Sequence, residues 1–100
     1  MGDTFRDAMR LMRKHNPQLQ EDGFHLLRPH AAEHVDALVA EFQAERDDHG
    51  LRCWLLELIG EARSEAARPV LMELLTDEDE AFRGWAERGL ELLVSKESRR

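Results

Sequence analysis

A four-residue pattern occurs twice in this chain of 100 residues, at positions 51–54 and again 31 residues later at positions 82–85. The first copy reads Leu-Arg-Cys-Trp and the second reads Phe-Arg-Gly-Trp. Residues 38–39 (Leu-Val) also align with residues 70–71 (Val-Leu) once a single insertion is allowed. A period of about 30 residues is typical of a helical hairpin that is used repeatedly. The repeat therefore predicts an all-α chain in which similar hairpins pack side by side.

Apolar residues recur with helical spacing throughout the chain, and no segment shows the alternation that a strand requires. Prolines and capping residues divide this pattern into separate helices. About five helices are predicted, over residues 4–15, from Pro29 to the polar residues 47–50, over 51–62, from the Ser64 cap to Leu75, and over 81–94. The polar residues 18–23 are expected to form a loop. Residues 95–100 are expected to form a frayed tail.

The charge and cysteine content disfavour several classes of protein. The 14 basic and 21 acidic residues give a formal net charge of −7, which argues against non-specific binding to nucleic acid. Apolar runs are four residues or fewer, so no membrane span is predicted, and charges at Asp3, Arg6 and Asp7 do not fit a secretory signal. The single cysteine, Cys53, excludes an internal disulfide and fits a reducing compartment. We therefore expect a cytoplasmic protein that binds neither nucleic acid nor a membrane.

Residues 67–83 contain an early proline (Pro69), a Leu-Leu pair, an acidic turn and then an arginine, Arg83. This order resembles a bacterial HEAT-like repeat. Residues 51–60 resemble the second helix of the same unit, including its closing glycine, Gly60. The resemblance covers residues 35–94 well and residues 1–34 poorly. It implies an all-α fold in the form of a short right-handed α-solenoid of HEAT-like hairpins.

The chain is accordingly predicted to be one domain over residues 1–100. Its predicted parts are an N-terminal capping helix with a linker (1–28), two HEAT-like repeats (29–62 and 64–94) and the frayed tail (95–100). About three layers are usually needed for a stable stack of repeats. We therefore expect the N-terminal segment to act as a third layer, or the chain to dimerise.

Trp54 and Trp85 occupy equivalent flanks of the two repeats, roughly 80° from the centre of the core side. Both therefore point either to the next repeat or to the previous one. In the forward arrangement Trp85 is left uncovered at the C-terminal end, where it would anchor a partner. In the backward arrangement Trp85 packs on the first repeat and Trp54 on the N-terminal segment. The backward arrangement is favoured, because large aromatic residues at helical spacing usually belong to a core.

Arg52 and Arg83 each follow an acidic turn. A guanidinium next to carboxylates favours paired hydrogen bonds with them. We therefore expect Arg52 and Arg83 to pair with Asp48 or Asp79 and to tie each hairpin together. The alternative, a basic ladder for phosphate, is disfavoured by the surrounding negative charge.

Residues 30–34 (His-Ala-Ala-Glu-His) match the inverted zinc-protease motif, with two histidines four positions apart. Such a site also needs a third ligand, a cleft and further groups that orient the ligands, for which one small core leaves little room. Solvated histidines are therefore favoured over a metal or catalytic site. Cys53 is expected to be a partly exposed thiol without catalytic role, since a nucleophile would need a histidine base that only the fold brings near. No catalytic residue, metal or cofactor is predicted.

The resemblance implies that the second helices of the repeats line a concave face. Leu56 is the one exposed aliphatic side chain expected there. With Trp85 as the possible anchor, the predicted partner-binding residues are Leu56, Glu57, Trp85, Glu87, Arg88 and Glu91. An acidic surface complements a basic partner protein. The leading hypothesis is therefore a non-catalytic protein–protein interaction module, a small adaptor or an inhibitor such as a toxin-neutralising immunity protein.

Two alternatives stay open. The first is a structural homo-oligomer in which Trp85 and Leu93 of the C-terminal helix close a homodimer. The second is a HEAT-like lyase or a fragment of a nucleic-acid enzyme, which predicts a cleft with a perturbed acid or base. The sequence shows no converging set of residues for the second alternative.

Overall fold

The computed structural model describes the backbone of residues 4–98 and the side chains of residues 4–94. All regular structure within these residues is helical, which confirms the predicted all-α class. The α-helices are α1 (Thr4–Met12), α2 (Pro17–Leu27), α3 (Val35–Ala44), α4 (His49–Glu61), α5 (Arg68–Leu74) and α6 (Glu80–Ser98). Two 3₁₀ segments, Arg28–His34 and Glu65–Ala67, precede α3 and α5.

Helix α2 corrects the prediction of a loop over residues 18–23. The Asn16 side chain accepts hydrogen bonds from two backbone N–H groups of the first turn, at 3.0 and 3.2 Å, and Pro17 occupies the first helical position. The Asn-Pro pair, which the sequence indicated as a stop for the first helix, therefore starts α2. The polar residues were misleading because they cover the solvent side of an amphipathic helix. Its opposite side buries Phe24 and Leu27.

The ends of all five predicted helices also differ from expectation: α1 stops at Met12 instead of residue 15, and α5 starts at Arg68 after a 3₁₀ turn. Residues Arg28–His34 form a 3₁₀ segment, and α3 begins only at Val35. Only Ala31 is buried among these seven residues, so little apolar packing favours an extension of α3 toward Pro29. Helix α4 starts two residues early, at His49. Helix α6 continues to Ser98, so the predicted tail is helical up to that residue, and positions 99–100 lie outside the described residues.

The helices pack in consecutive pairs. Helix α1 packs on α2, α3 on α4, and α5 on α6, while α4 also packs along α6 and joins the last two pairs. Their buried apolar side chains form one continuous core that extends from Ala8 to Leu93. Among the described residues, none of the helices combines the length and the apolar character needed to cross a bilayer.

Glycines set the closest approaches between helices. A Cβ atom at Gly60 of α4 would lie 3.1 Å from the Cα atom of Gly89 of α6, so the two backbones touch where these helices cross. A Cβ atom at Gly23 of α2 would lie 2.6 Å from the carbonyl oxygen of Ala8 in α1. A side chain at either position would force the paired helices apart.

Arg52 and Arg83 do tie their hairpins together, but not through Asp48 or Asp79 as predicted. Arg52 donates hydrogen bonds from Nε and Nη2 to the carbonyl oxygen of Phe42, at 3.3 and 3.2 Å, and its guanidinium lies 4.1 Å from the centre of the Phe42 ring. Arg83 donates from Nη1 to the backbone carbonyl oxygens of residues 77 and 78, at 2.7 and 3.2 Å.

The two aspartates have another role. Asp48 accepts a hydrogen bond from the backbone N–H of Leu51 at 3.0 Å and so caps α4. Asp79 accepts from the N–H groups of Ala81 and Phe82, at 2.9 and 3.2 Å, at the start of α6. Capping satisfies N–H groups that have no partner within the helix. This explains why the arginines bind carbonyl oxygens instead.

Candidate functional site

The structure divides the predicted partner-binding residues into one buried side chain and two separate surface groups. Leu56 was expected to be exposed, but its side chain is completely buried. Helix α4 lies in the middle of the molecule, where α2, α3, α6 and the first 3₁₀ segment all contact it. Fewer side chains of α4 therefore face solvent than the repeat pattern indicates. Leu56 belongs to the core and is not available to a partner.

The first surface group lies between α4 and α6. Glu57 and Trp85 line a groove of about 320 Å³ together with Gly50, Cys53 and Trp54. We call this groove the tryptophan groove. Both indoles are half-buried against the core. The repeat pattern thus places its two tryptophans at one common surface feature.

The tryptophans adopt the backward arrangement that core packing favoured. The Trp54 ring packs on Phe24 of α2, with 4.7 Å between the ring centres and 56° between the planes. Trp85 lies beside Cys53 of α4 in the tryptophan groove, with its indole partly buried against the core. Trp85 is therefore directed back toward α4, and it does not project from the C-terminal end as a free anchor.

Arg88 lies next to the tryptophan groove but is engaged with another side chain. Its Nη2 atom is 3.8 Å from Glu61, and Arg28 contacts the other oxygen of the same carboxylate at 3.6 Å. Glu57, one turn earlier on α4, has no ion pair among residues 4–94. Partial burial and the nearby charge of Glu61 raise the pKa of the Glu57 carboxyl, against the opposing effect of Arg28 and Arg88.

The second surface group lies on the opposite flank of α6. Leu90 and Val94 are about 140° and 180° around the helix from Trp85, so they face away from α4. With Leu75 at the end of α5, they line an apolar groove of about 600 Å³, and Glu87 and Glu91 form its acidic edge. We call this feature the end groove. Val94 is 55% exposed there.

The predicted homodimer contact through Trp85 and Leu93 does not fit this surface. Leu93 is 2% exposed and belongs to the core. Trp85 is directed toward α4, away from the end groove. The apolar side chains of α6 at this groove are instead Leu90, which is partly buried, and Val94, which is exposed.

The fold does bring a histidine close to Cys53. The sulfur lies 3.9 Å from Nδ1 of His49, whose Nε2 is 2.8 Å from the Asp79 carboxylate. The ring of His49 stacks on Phe82 with 5.1 Å between centres. Partial burial, followed by the negative charge of Asp79, raises the pKa of the Cys53 thiol. The thiol is thus kept in its protonated, weakly nucleophilic form.

Sequence reasoning missed this chain of contacts for a local reason. His49 and Cys53 face each other only if α4 begins at His49, and the predicted helix began two residues later. The available signal was Asp48, a preferred N-cap residue placed directly before His49.

The two histidines of the zinc-protease-like string are not brought together as metal ligands. His30 Nδ1 lies 3.1 Å from Glu33, and the ring of His34 packs on Phe5 with 5.3 Å between ring centres. Their segment is 3₁₀-helical, so positions four apart do not share the face that an α-helix would give them. Within the described residues, no group of three metal-binding side chains converges.

Comparison of the chain with models of known protein families, with curated proteins and with solved structures finds no match.

Proposed function

We propose that this protein is a non-catalytic protein-binding module that receives a basic, amphipathic helix of a partner protein in the end groove. The observation that carries the proposal is the groove itself. Three partly exposed aliphatic side chains line it, and Glu87 and Glu91 lie side by side along its edge, one helical turn apart. An apolar groove with a charged edge suits a helix that has an apolar stripe flanked by opposite charge.

Negative charge, both at the groove and over the whole chain, favours a basic partner. Glu87 and Glu91 place two carboxylates next to the apolar lining. The whole chain carries a formal charge of −7, which attracts a basic partner over longer distance. A second copy of this chain suits the groove less well, because a two-fold pairing of end grooves would bring four carboxylates together. An adaptor or a toxin-neutralising inhibitor in the cytoplasm fits this description.

We also propose that the fold is a short right-handed α-solenoid of the HEAT-like type, with repeats at 29–62 and 64–94. Support comes from the consecutive pairing of helices and from Arg52 and Arg83, each of which donates to carbonyl oxygens earlier in its own repeat. In this arrangement the end groove is the uncovered face of the last repeat. The enzyme alternative has less support, because the Cys53 thiol next to His49 has a raised pKa.

The proposal is tested with two labelled helical peptides that share a leucine stripe and differ only in flanking lysines or glutamates. Fluorescence anisotropy should show binding of the basic peptide, at least roughly tenfold tighter than the acidic one. Leu90→Asp should abolish binding. The Glu87→Arg/Glu91→Arg variant should reverse the preference, whereas Glu73→Arg/Glu80→Arg, with the same net charge outside the groove, should keep it.

Two results would contradict the proposal. One is equal binding of both peptides by the native chain and by the Leu90→Asp variant. The other is a light-scattering mass of twice 11.6 kDa that Leu90→Asp converts to the monomer mass, because a second copy would then occupy the groove.

A further inference from the structure

The tryptophan groove has a chemistry different from that of the end groove. Its wall contains two indoles, Trp54 and Trp85, and a carboxylate, Glu57. Indole rings attract cations through the negative face of the π system, most strongly when the cation is partly desolvated. A carboxylate in the same groove supplies the compensating charge. No other groove described here combines aromatic rings with an unpaired acid.

The two indoles are held in place before any ligand arrives. Trp54 is fixed by its ring contact with Phe24. Trp85 is packed against the core beside Cys53, which lines the same groove. A preformed aromatic surface loses little conformational entropy when a ligand binds.

Glu57 has no ion pair among the described side chains, although Arg28 and Arg88 lie close enough to oppose the rise of its pKa. Arg28 and Arg88 both contact Glu61, and neither forms an ion pair with Glu57. These two arginines and two glutamates sum to zero, and Asp79 beyond Cys53 adds a further negative charge. Partial burial raises the pKa of Glu57, so its charged form is under-stabilised in the free protein. A bound cation would supply the missing partner.

We propose that the tryptophan groove binds an organic ammonium group, with Trp54 and Trp85 contacting its alkyl surface and Glu57 neutralising its charge. Alkylated ammonium is favoured over a metal ion because the groove offers two aromatic rings and one carboxylate. Metal ions such as Mg²⁺ and Ca²⁺ require several oxygen ligands. This inference does not depend on the end groove, with which the tryptophan groove shares no lining residue.

Tryptophan fluorescence tests this proposal directly, because Trp54 and Trp85 are the two tryptophans of the chain. The probes are choline and its uncharged isostere, 3,3-dimethylbutan-1-ol. We expect saturable quenching by choline and at least about tenfold weaker binding of the isostere. A short peptide containing trimethyllysine, compared with its alanine counterpart, shows whether the group is also accepted on a polypeptide.

Matched variants complete the experiment. Glu57→Gln should weaken choline binding by about fivefold or more, whereas Glu73→Gln, an exposed glutamate of α5, should leave it unchanged. Far-UV circular dichroism confirms that both variants are folded. Three results would each overturn the proposal: binding of the neutral isostere as tight as that of choline, failure of both choline and the trimethyllysine peptide to show saturable binding, or unchanged affinity in Glu57→Gln. Binding of the peptide alone would assign the site to a modified side chain, and binding of choline alone to a small molecule.

Discussion

Single positions decide how closely the helices approach each other, and the glycines show this most clearly. Gly60 lies in α4 and Gly84 lies in α6. At both positions alanine has the higher intrinsic helix propensity. Only their surroundings differ. A Cβ atom at Gly60 meets the backbone of Gly89, whereas one at Gly84 meets no atom within 4 Å. The same substitution is therefore expected to have opposite signs at the two sites.

Gly60→Ala is expected to lower the free energy of unfolding by about 1–3 kcal/mol, because the backbone of α6 must move to admit the methyl group. Gly84→Ala is expected to raise it by up to about 1 kcal/mol, since alanine loses less conformational entropy in a helix. Urea unfolding followed by circular dichroism measures both. Equal effects of the two substitutions would show that α4 and α6 do not cross closely at Gly60 and Gly89.

The formation and the ends of each helix depend on local sequence signals, and the sequence contained most of these signals. The helical spacing and the repeat at 51–54 and 82–85 were sufficient to predict the all-α class and five of the six helices, with the largest error at the start of α3. Helix α2 was missed because Asn16-Pro17 resembles a helix stop signal, whereas α1 ends at Met12 and Asn16 caps α2. Leu56 was misplaced because its burial depends on how many neighbours surround α4, which no local pattern records.

For the candidate site, too, the sequence predicted local properties better than the spatial arrangement. Five of the residues expected at the surface are at least partly exposed, namely Glu57, Trp85, Glu87, Arg88 and Glu91. Their separation onto two flanks of α6 follows from the rotation of that helix against α4. This rotation is set by contacts between residues that are far apart in the sequence. A repeat of about 30 residues does not record such contacts.

The carboxylate of Asp79, which caps the first turn of α6, makes the stability of the protein depend on pH. Partial desolvation would raise the pKa of Asp79, but hydrogen bonds from the Phe82 N–H and from His49 outweigh it and lower the pKa below its ordinary value of 3.8. A carboxyl whose pKa is lowered by folding stabilises the protein above that ordinary value. This contribution is lost as the pH falls below 3.8 and through the folded-state pKa.

We therefore expect Asp79→Asn to be less stable than the native chain at pH 6 and to lose less stability between pH 5 and about pH 2.5. Urea unfolding at a series of pH values measures the two slopes. Asp36→Asn, which removes an exposed carboxylate from α3, serves as the control and should follow the native profile. Parallel curves for the native chain and Asp79→Asn would contradict the proposed cap.

The whole molecule has one core, although it is assembled from three pairs of helices. The α1/α2 pair joins the rest through the contact of Phe24 with Trp54 and through ion pairs of Arg13 with Glu41 and Glu45. The α5/α6 pair joins through the crossing of α4 and α6. Repeat proteins with weak interfaces between units unfold in steps, whereas a continuous core favours a single cooperative transition.

The two tryptophans allow this cooperativity to be measured, because Trp54 reports on the contact between α2 and α4, and Trp85 on the contact between α4 and α6. Trp54→Phe and Trp85→Phe each leave one reporter. Within each variant, we expect the fluorescence and circular dichroism transitions in urea to share one midpoint. A fluorescence transition of Trp54 that precedes the circular dichroism transition would instead indicate that the N-terminal pair unfolds separately.

The two grooves on opposite flanks of α6 have a geometric consequence. Their linings have no residue in common, and the helix itself, about 10–12 Å wide with its side chains, separates them. A ligand in one groove therefore leaves the other accessible. We therefore expect the two proposed ligands, a basic helix in the end groove and an ammonium group in the tryptophan groove, to be bound at the same time in a ternary complex.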